Sequence, residues 1–102
     1  MAEEQKKTEP KYLDEPVKIK ELIFMTIYSL ESKAWAYLGL TGHPETQKPL
    51  KDLTEARLAI DAIGALYKLI EPDLELEEKK DIQIRLTNLR LNFTKDATPE
   101  KS

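Results

Sequence analysis

The sequence contains no cysteine and a single histidine among its 102 residues. The absence of cysteine excludes disulfide bonds, thiol catalysis and thiolate metal sites, and it is typical of a cytoplasmic protein. Zinc sites need three or four protein ligands, so one histidine without cysteine predicts no metal site. The glycine-rich phosphate-binding patterns GxxxxGK[ST] and GxGxxG are also missing. We therefore expect a cytoplasmic protein without a metal, without a cofactor and without enzymatic activity.

The sequence also lacks an excess of positive charge and a long hydrophobic run. The chain has 16 basic and 19 acidic residues, for a formal net charge of −3. Binding to nucleic acid requires a basic surface that displaces counterions from phosphates. The most apolar run, residues 22–30, is far shorter than the roughly 20 residues that span a bilayer. We therefore expect no nucleic-acid partner and no membrane insertion.

Three segments with helical periodicity are present, and no segment alternates long enough to predict a strand. The predicted helices span about 17–38, 53–71 and 76–94. Pro16 and Gly39 are suited to begin and end the first helix, and Asp52 is suited to cap the second. The sequence therefore predicts an all-α fold, a three-helix antiparallel bundle-like domain.

The two ends of the chain differ from this helical domain, which we place at 17–94. Residues 1–16 and 95–102 are polar and charged, and they offer too little apolar surface to offset the entropy of ordering. We therefore expect a disordered N-terminal arm and a disordered C-terminal tail.

The first two helices carry more apolar surface than one core requires, because each helix of a three-helix domain needs a single apolar stripe. The surplus residues are Phe24, Tyr28 and Trp35 on the first helix and Leu58, Ala62, Ala65 and Leu69 on the second. Leaving a large apolar side chain in water forgoes roughly 1.5–3 kcal/mol. We therefore predict that these seven residues form an oligomer interface, with a dimer favoured, and that Trp35 is buried.

The loop GHPETQKP between the first two helices holds the only histidine, His43, beside Glu45 and Thr46. A catalytic triad requires a spatial arrangement that a short turn rarely provides. Two prolines favour an extended loop. We interpret the loop as a structural linker, and we expect His43→Ala to change stability by no more than about 0.5 kcal/mol, as at an ordinary surface site.

Glu31 lies within the apolar half of the first helix. Burying a carboxylate without a partner is costly, so we expect Glu31 to meet a basic side chain or the wet edge of an interface. A structural ion pair is the favoured interpretation, and a functional carboxylate is the alternative.

Several residues in the three helices and the first loop together form a recognisable sequence pattern. They are Ala34, Trp35, Leu38 and Gly39; Pro44 and Thr46; Asp52, Leu53, Ala56, Ile60, Asp61 and Leu66; and Leu89, Arg90 and Phe93. With these residues the chain resembles, over most of 22–94, the bacterial family catalogued as domain of unknown function 1844. Gln47 departs from that pattern, which has glycine in the loop, and Glu31 stands where the family has a small residue. The resemblance implies a small helical cytosolic protein and supplies no activity.

Two functions are consistent with these observations. The first is a non-catalytic, self-associating interaction module, and an unknown protein partner also stays open. The alternative is a protein that binds an apolar small molecule between helices one and two, where Phe24, Tyr28 and Trp35 supply aromatic surface.

Overall fold

A computed structural model of the chain describes residues 14–97, which form three α-helices without a strand. Helix α1 spans Ile19–Tyr37, α2 spans Leu53–Ile70 and α3 spans Leu76–Ala97. A short 3-10 helix, Glu71–Asp73, contains Pro72 and joins α2 to α3. The predicted all-α, three-helix fold is confirmed.

The helix ends lie close to their predicted positions, and the largest difference is at the end of α3. This helix continues to Ala97, so residues 95–97, which we predicted as part of the tail, are helical. Lys51 contributes to this last turn, because its Nζ lies 3.6 Å from the carboxylate of Asp96. The rest of the predicted tail, 98–102, and most of the predicted arm, 1–13, lie outside the described residues.

Local signals in the sequence explain where α1 ends and α2 begins. Gly39 has a φ of +86°, a left-handed conformation that glycine adopts without steric cost. The amides of Gly39 and Leu40 donate to the carbonyls of Ala36 and Trp35, which closes the helix in a Schellman motif. The carboxylate of Asp52 caps α2 as predicted, since it accepts hydrogen bonds from the backbone amides of Thr54 and Glu55.

The three helices meet in one core. Its largest fully buried side chains are Ile27 and Leu38 around α1, Ile63 on α2, and Ile82 and Leu89 on α3. Burial of such a side chain contributes about 1.5–3 kcal/mol. Small residues, Ala34 and Ala56 among them, are also fully buried and let α1 and α2 pack closely. None of the helices in the described part of the chain has the length and apolarity needed to cross a membrane.

Candidate interaction surface

The outer face of α2 carries a row of four apolar residues, which we call the α2 stripe. The stripe consists of Leu58, Ala62, Ala65 and Leu69. Leu58 is 64% exposed and Leu69 is 68% exposed; Ala65 is exposed and Ala62 is half-buried. At 100° per residue, the stripe lies opposite the face of α2 that enters the core. The described residues therefore leave both leucines of the stripe in contact with solvent.

Charged side chains border the α2 stripe on one side. They include Asp61 and Lys68, together with Arg57. Nη1 of Arg57 lies 3.8 Å from Oδ2 of Asp61, and both side chains are 64% exposed. A long and exposed pair of this kind contributes at most about 1 kcal/mol. Within the described part of the chain, Asp61 is therefore only weakly engaged.

The aromatic residues of α1 lie in a different environment from the α2 stripe. Phe24 and Trp35 are half-buried and pack against the core. Trp35 is less buried than we predicted, because its indole lies at the edge of the core, where Nε1 donates a hydrogen bond of 3.4 Å to the carboxylate of Glu31. Tyr28 is 40% exposed, and the Arg85 guanidinium lies 4.8 Å from its ring centroid. Helix α3 therefore shields part of the predicted interface on α1.

Glu31 has the basic partner that we expected. Its Oε1 accepts a hydrogen bond of 2.8 Å from Nη1 of Arg85 on α3. Asp81, also on α3, accepts hydrogen bonds from Nε of Arg85 at 3.0 Å and from the hydroxyl of Tyr28 at 3.2 Å. Glu31 is thus part of an ion-pair cluster that fixes α3 against the aromatic face of α1.

This cluster shifts the ionisation of two of its members. Partial burial and the adjacent Asp81 carboxylate raise the pKa of Tyr28, because both disfavour the phenolate. Hydrogen bonds to Asp81 and Glu31 raise the pKa of Arg85. The cluster therefore holds a neutral tyrosine under a charged guanidinium, a favourable cation–π arrangement.

An open groove of about 460 Å³ lies beside this cluster, between α1 and α3. It is lined by Phe24, Met25 and Tyr28, and by the acidic residues Glu21, Glu77, Glu78 and Asp81. The Phe24 and Tyr28 rings stack with their centroids 6.3 Å apart. The aromatic surface that we considered for a small molecule is thus accessible between α1 and α3. The alternative function assumed a site between helices one and two, but α1 and α2 pack directly against each other.

The loop between α1 and α2 folds around His43, which is only 4% exposed. Its Nδ1 lies 2.8 Å from Nζ of Lys33, and its Nε2 lies 3.0 Å from the carbonyl oxygen of Leu50. A lysine ammonium only donates and a carbonyl only accepts, so Nδ1 accepts and Nε2 donates. The ring of Tyr37 meets the imidazole edge to face, with centroids 4.4 Å apart. Our prediction that His43 is an ordinary surface residue is therefore wrong.

The loop is also a closed turn, so the predicted extended path is wrong. The amide of His43 donates to the carbonyl of Lys48, and the amide of Gln47 donates to the carbonyl of His43. Gln47 has a φ of +61°, a conformation that favours glycine. A Cβ at Gly42 would lie 3.0 Å from the backbone carbon and oxygen of Gln47. The closed turn therefore leaves little room for a side chain at 42 and is strained at 47.

The polar side chains of the loop hold it against α1. Nζ of Lys33 donates to both carboxylate oxygens of Glu45 at 2.9 Å, and this contact lowers the pKa of Glu45. Both ring nitrogens of His43 have partners within the chain, so the structure presents neither nitrogen to a substrate. Across residues 14–97, no group of three or more histidine or acidic side chains is placed to hold a metal ion. The arrangement is that of a structural loop.

The family relationship rests on a match that spans this whole architecture. No curated protein and no solved structure matches the chain. The family described as Domain of unknown function (DUF1844) matches over residues 21–95. The matched region includes the α2 stripe, the loop around His43 and the contact between Glu31 and Arg85. Because it covers all but the first two residues of α1 and the last two of α3, and both connections between the helices, the chain belongs to the family described as Domain of unknown function (DUF1844).

Proposed function

We propose that the protein is a non-catalytic interaction module of the cytoplasm that self-associates, as a dimer, through the α2 stripe. The observation that carries the proposal is the exposure of Leu58 and Leu69 on a helix whose opposite face already fills the core. Single exposed leucines are common on protein surfaces. Apolar residues that recur at alternating four- and three-residue spacing form the pattern by which helices pair.

The structure favours α2 over α1 as the main contact. On α1, Phe24 and Trp35 already contact the core, and Tyr28 is covered in part by Arg85. Comparable covering is not seen at Leu58 and Leu69 among the described residues. We therefore assign Phe24, Tyr28 and Trp35 at most the edge of the interface.

The size of the stripe predicts a dimer of limited affinity. Two copies would bury four leucines that are each about two-thirds exposed, which gives roughly 4–8 kcal/mol at 1.5–3 kcal/mol for a fully buried leucine. Loss of translational and rotational freedom on association costs about 4–15 kcal/mol. The two ranges overlap, so association should depend strongly on protein concentration, and it must be measured over a wide concentration range.

The test is sedimentation equilibrium of the double variant Leu58→Asp with Leu69→Asp. Both side chains are exposed, so the helical content measured by circular dichroism should stay near that of the wild type. The matched control is Ile84→Asp with Leu91→Asp on the outer face of α3, where the exposures are 61% and 59%. It introduces the same charges at sites of similar exposure on another helix.

The proposal requires an assembly larger than the 11.8 kDa chain for the wild type and the α3 control, and a monomer for the α2 variant. A wild-type protein that sediments as a monomer at high concentration would overturn it. Dissociation of the α3 control with an intact α2 variant would overturn the assignment to the α2 stripe.

The groove between α1 and α3 supports a second candidate function, the binding of an apolar small molecule. Its volume falls within the roughly 300–1,000 Å³ of typical ligand sites, and the stacked rings of Phe24 and Tyr28 line it. Met25 is 59% exposed at this groove, so Met25→Glu should block an apolar ligand without disturbing the core. A native mass spectrum that shows the same retained mass in wild type and variant, or none in either, would reject this candidate.

A further inference from the structure

We infer that two copies of the chain pair antiparallel, with α2 against the partner's α2, about a twofold axis that passes between Ile63 and Gly64. The inference rests on the proposed self-association and adds the orientation and the residues that set it. The α2 stripe is self-complementary in this orientation. Its residue order, leucine, alanine, alanine, leucine, reads the same from either end of the helix.

The antiparallel arrangement pairs residues of matching size. Leu58 lies as far before the midpoint of the stripe as Leu69 lies after it, and the same holds for Ala62 and Ala65. A twofold axis at the midpoint therefore places Leu58 against the partner's Leu69 and Ala62 against the partner's Ala65. The alanines at the centre let the helix axes approach to about 8 Å, the lower end of the usual range. The leucines then cover the contact at both ends.

Charge distinguishes the antiparallel pair from a parallel one. In the heptad notation for paired helices, Leu58 and Ala65 occupy position d, Ala62 and Leu69 occupy a, and Asp61 and Lys68 both occupy g. In an antiparallel pair, g positions face g positions of the other helix. Asp61 therefore lies beside the partner's Lys68, and the twofold axis repeats this ion pair on the other side.

A parallel pair would lack these ion pairs. Position g then faces position e of the other helix, so Asp61 would lie beside the partner's Leu66. Lys68 would be matched with Asp73, which lies past the end of α2 in the 3-10 helix and so does not continue the face of α2. Among the described residues, the one charged partner of Asp61 is Arg57, at 3.8 Å and exposed, so Asp61 is available for a second copy. Pairs at e and g set the orientation of helices, and here they favour the antiparallel one.

The test uses charge reversal at the two flanking positions, with the dimer dissociation constant measured by sedimentation at low salt. Asp61→Lys and Lys68→Asp each place like charges together twice in an antiparallel dimer, so each should weaken association by roughly tenfold or more. An equimolar mixture of the two single variants restores both ion pairs in the heterodimer, and the double variant restores them in the homodimer. Both should therefore associate about as well as the wild type.

Two controls separate this effect from general loss of structure or charge. Arg57→Gln removes the contact with Asp61 inside the chain and leaves both flanking charges in place, so it should not weaken the dimer. The differences among the charge variants should shrink at high salt, because screening weakens exposed ion pairs.

Cysteine substitution supplies an independent reading of the orientation, because the chain contains no cysteine of its own. In the antiparallel pair, two copies of position 58 lie about 16 Å apart along the helix axis, too far for a disulfide, which needs Cα atoms within about 7 Å. Leu58→Cys alone and Leu69→Cys alone should stay uncrosslinked on oxidation, whereas a mixture of the two should form a disulfide between the chains.

The outcomes distinguish the orientation from the proposed function itself. A monomeric wild type overturns both. A dimer whose affinity is unchanged by either charge reversal, or in which Leu58→Cys crosslinks to itself, leaves self-association intact and rejects the antiparallel pairing. Weakening by both single reversals with recovery in their mixture establishes the pairing.

Discussion

Replacement of His43 by alanine tests the main difference between the sequence and the structure. From sequence alone, His43 is a polar residue in a linker, and its loss should change the free energy of unfolding by no more than about 0.5 kcal/mol. In the structure the imidazole is buried and contacts three groups: the ammonium of Lys33, the carbonyl of Leu50 and the ring of Tyr37. The two views predict measurably different outcomes.

The magnitude follows from these contacts. A hydrogen bond to a charged group contributes about 1.5–3 kcal/mol and a neutral one about 0.5–1.5 kcal/mol, so the two bonds of His43 sum to roughly 2–4.5 kcal/mol. Lys33 keeps Glu45 as a partner when the imidazole is removed, which reduces the cost of the first bond. We therefore expect His43→Ala to lower the free energy of unfolding by about 2–3 kcal/mol, a large share of the stability of a small domain.

The assay is urea denaturation followed by circular dichroism, with Lys48→Ala as the control. Lys48 is an exposed residue of the same loop, and its substitution should stay within about 0.5 kcal/mol. In a Lys33→Met background the effect of His43→Ala should be smaller, because the charged hydrogen bond is already absent. If His43→Ala and Lys48→Ala unfold at the same urea concentration, the reasoning from the buried imidazole is refuted.

Three further predictions concern the loop and the ion-pair cluster. Gln47→Gly should stabilise the protein by up to about 1 kcal/mol in the same denaturation assay, since relief of a left-handed conformation that costs about 1–2 kcal/mol outweighs the flexibility of glycine. Arg85→Met should destabilise the protein by about 1–3 kcal/mol, because it leaves the half-buried carboxylate of Glu31 without its cation. Adding Glu31→Gln should recover part of that loss, and an equal loss in the single and double variants would contradict this. The pKa of Tyr28 is raised above 10.0, so the Tyr28 hydroxyl of the folded protein keeps its proton at a pH where the unfolded chain has lost it. The stability that Tyr28 contributes is therefore complete below about pH 10 and is lost as the pH rises through the folded pKa. Unfolding free energies measured from about pH 9 to 11 should fall less steeply for Tyr28→Phe, and identical slopes would reject the shift.

The fold was largely predictable from sequence because its determinants are local. Helical periodicity, the carboxylate of Asp52 and the left-handed Gly39 are read within one or two turns of the chain, and each acts as expected in the structure. The burial of Glu31 was also predictable, because a carboxylate within an apolar face must find a cation. Its partner was not, because Arg85 lies 54 residues away and no local spacing links the two positions.

The loop around His43 was not predictable for a related reason. Lys33 belongs to α1 and lies ten residues before His43, so their contact depends on how the turn closes. The closure depends on a left-handed conformation at Gln47, a residue whose type does not indicate one. Proline and glycine mark the loop as a turn, but they do not specify that its histidine points inward. The sequence alone therefore treats a buried, hydrogen-bonded residue as a surface one.

The position of α3 determines what kind of assembly to expect. The sequence offers surplus apolar faces on two helices. Two different apolar faces permit heterologous contacts, which can assemble subunits into open chains. In the structure, Arg85 and Asp81 bring α3 over part of the aromatic face of α1, whereas α3 leaves the leucines of the α2 stripe exposed. One self-complementary face allows an isologous contact between two copies, and that contact buries the face in both copies, so a third copy cannot bind there. The apparent mass in sedimentation equilibrium should therefore rise with concentration and level off at twice the 11.8 kDa of the chain. Growth beyond that value would show that a second surface, such as the outer face of α3 with Ile84 and Leu91, also binds.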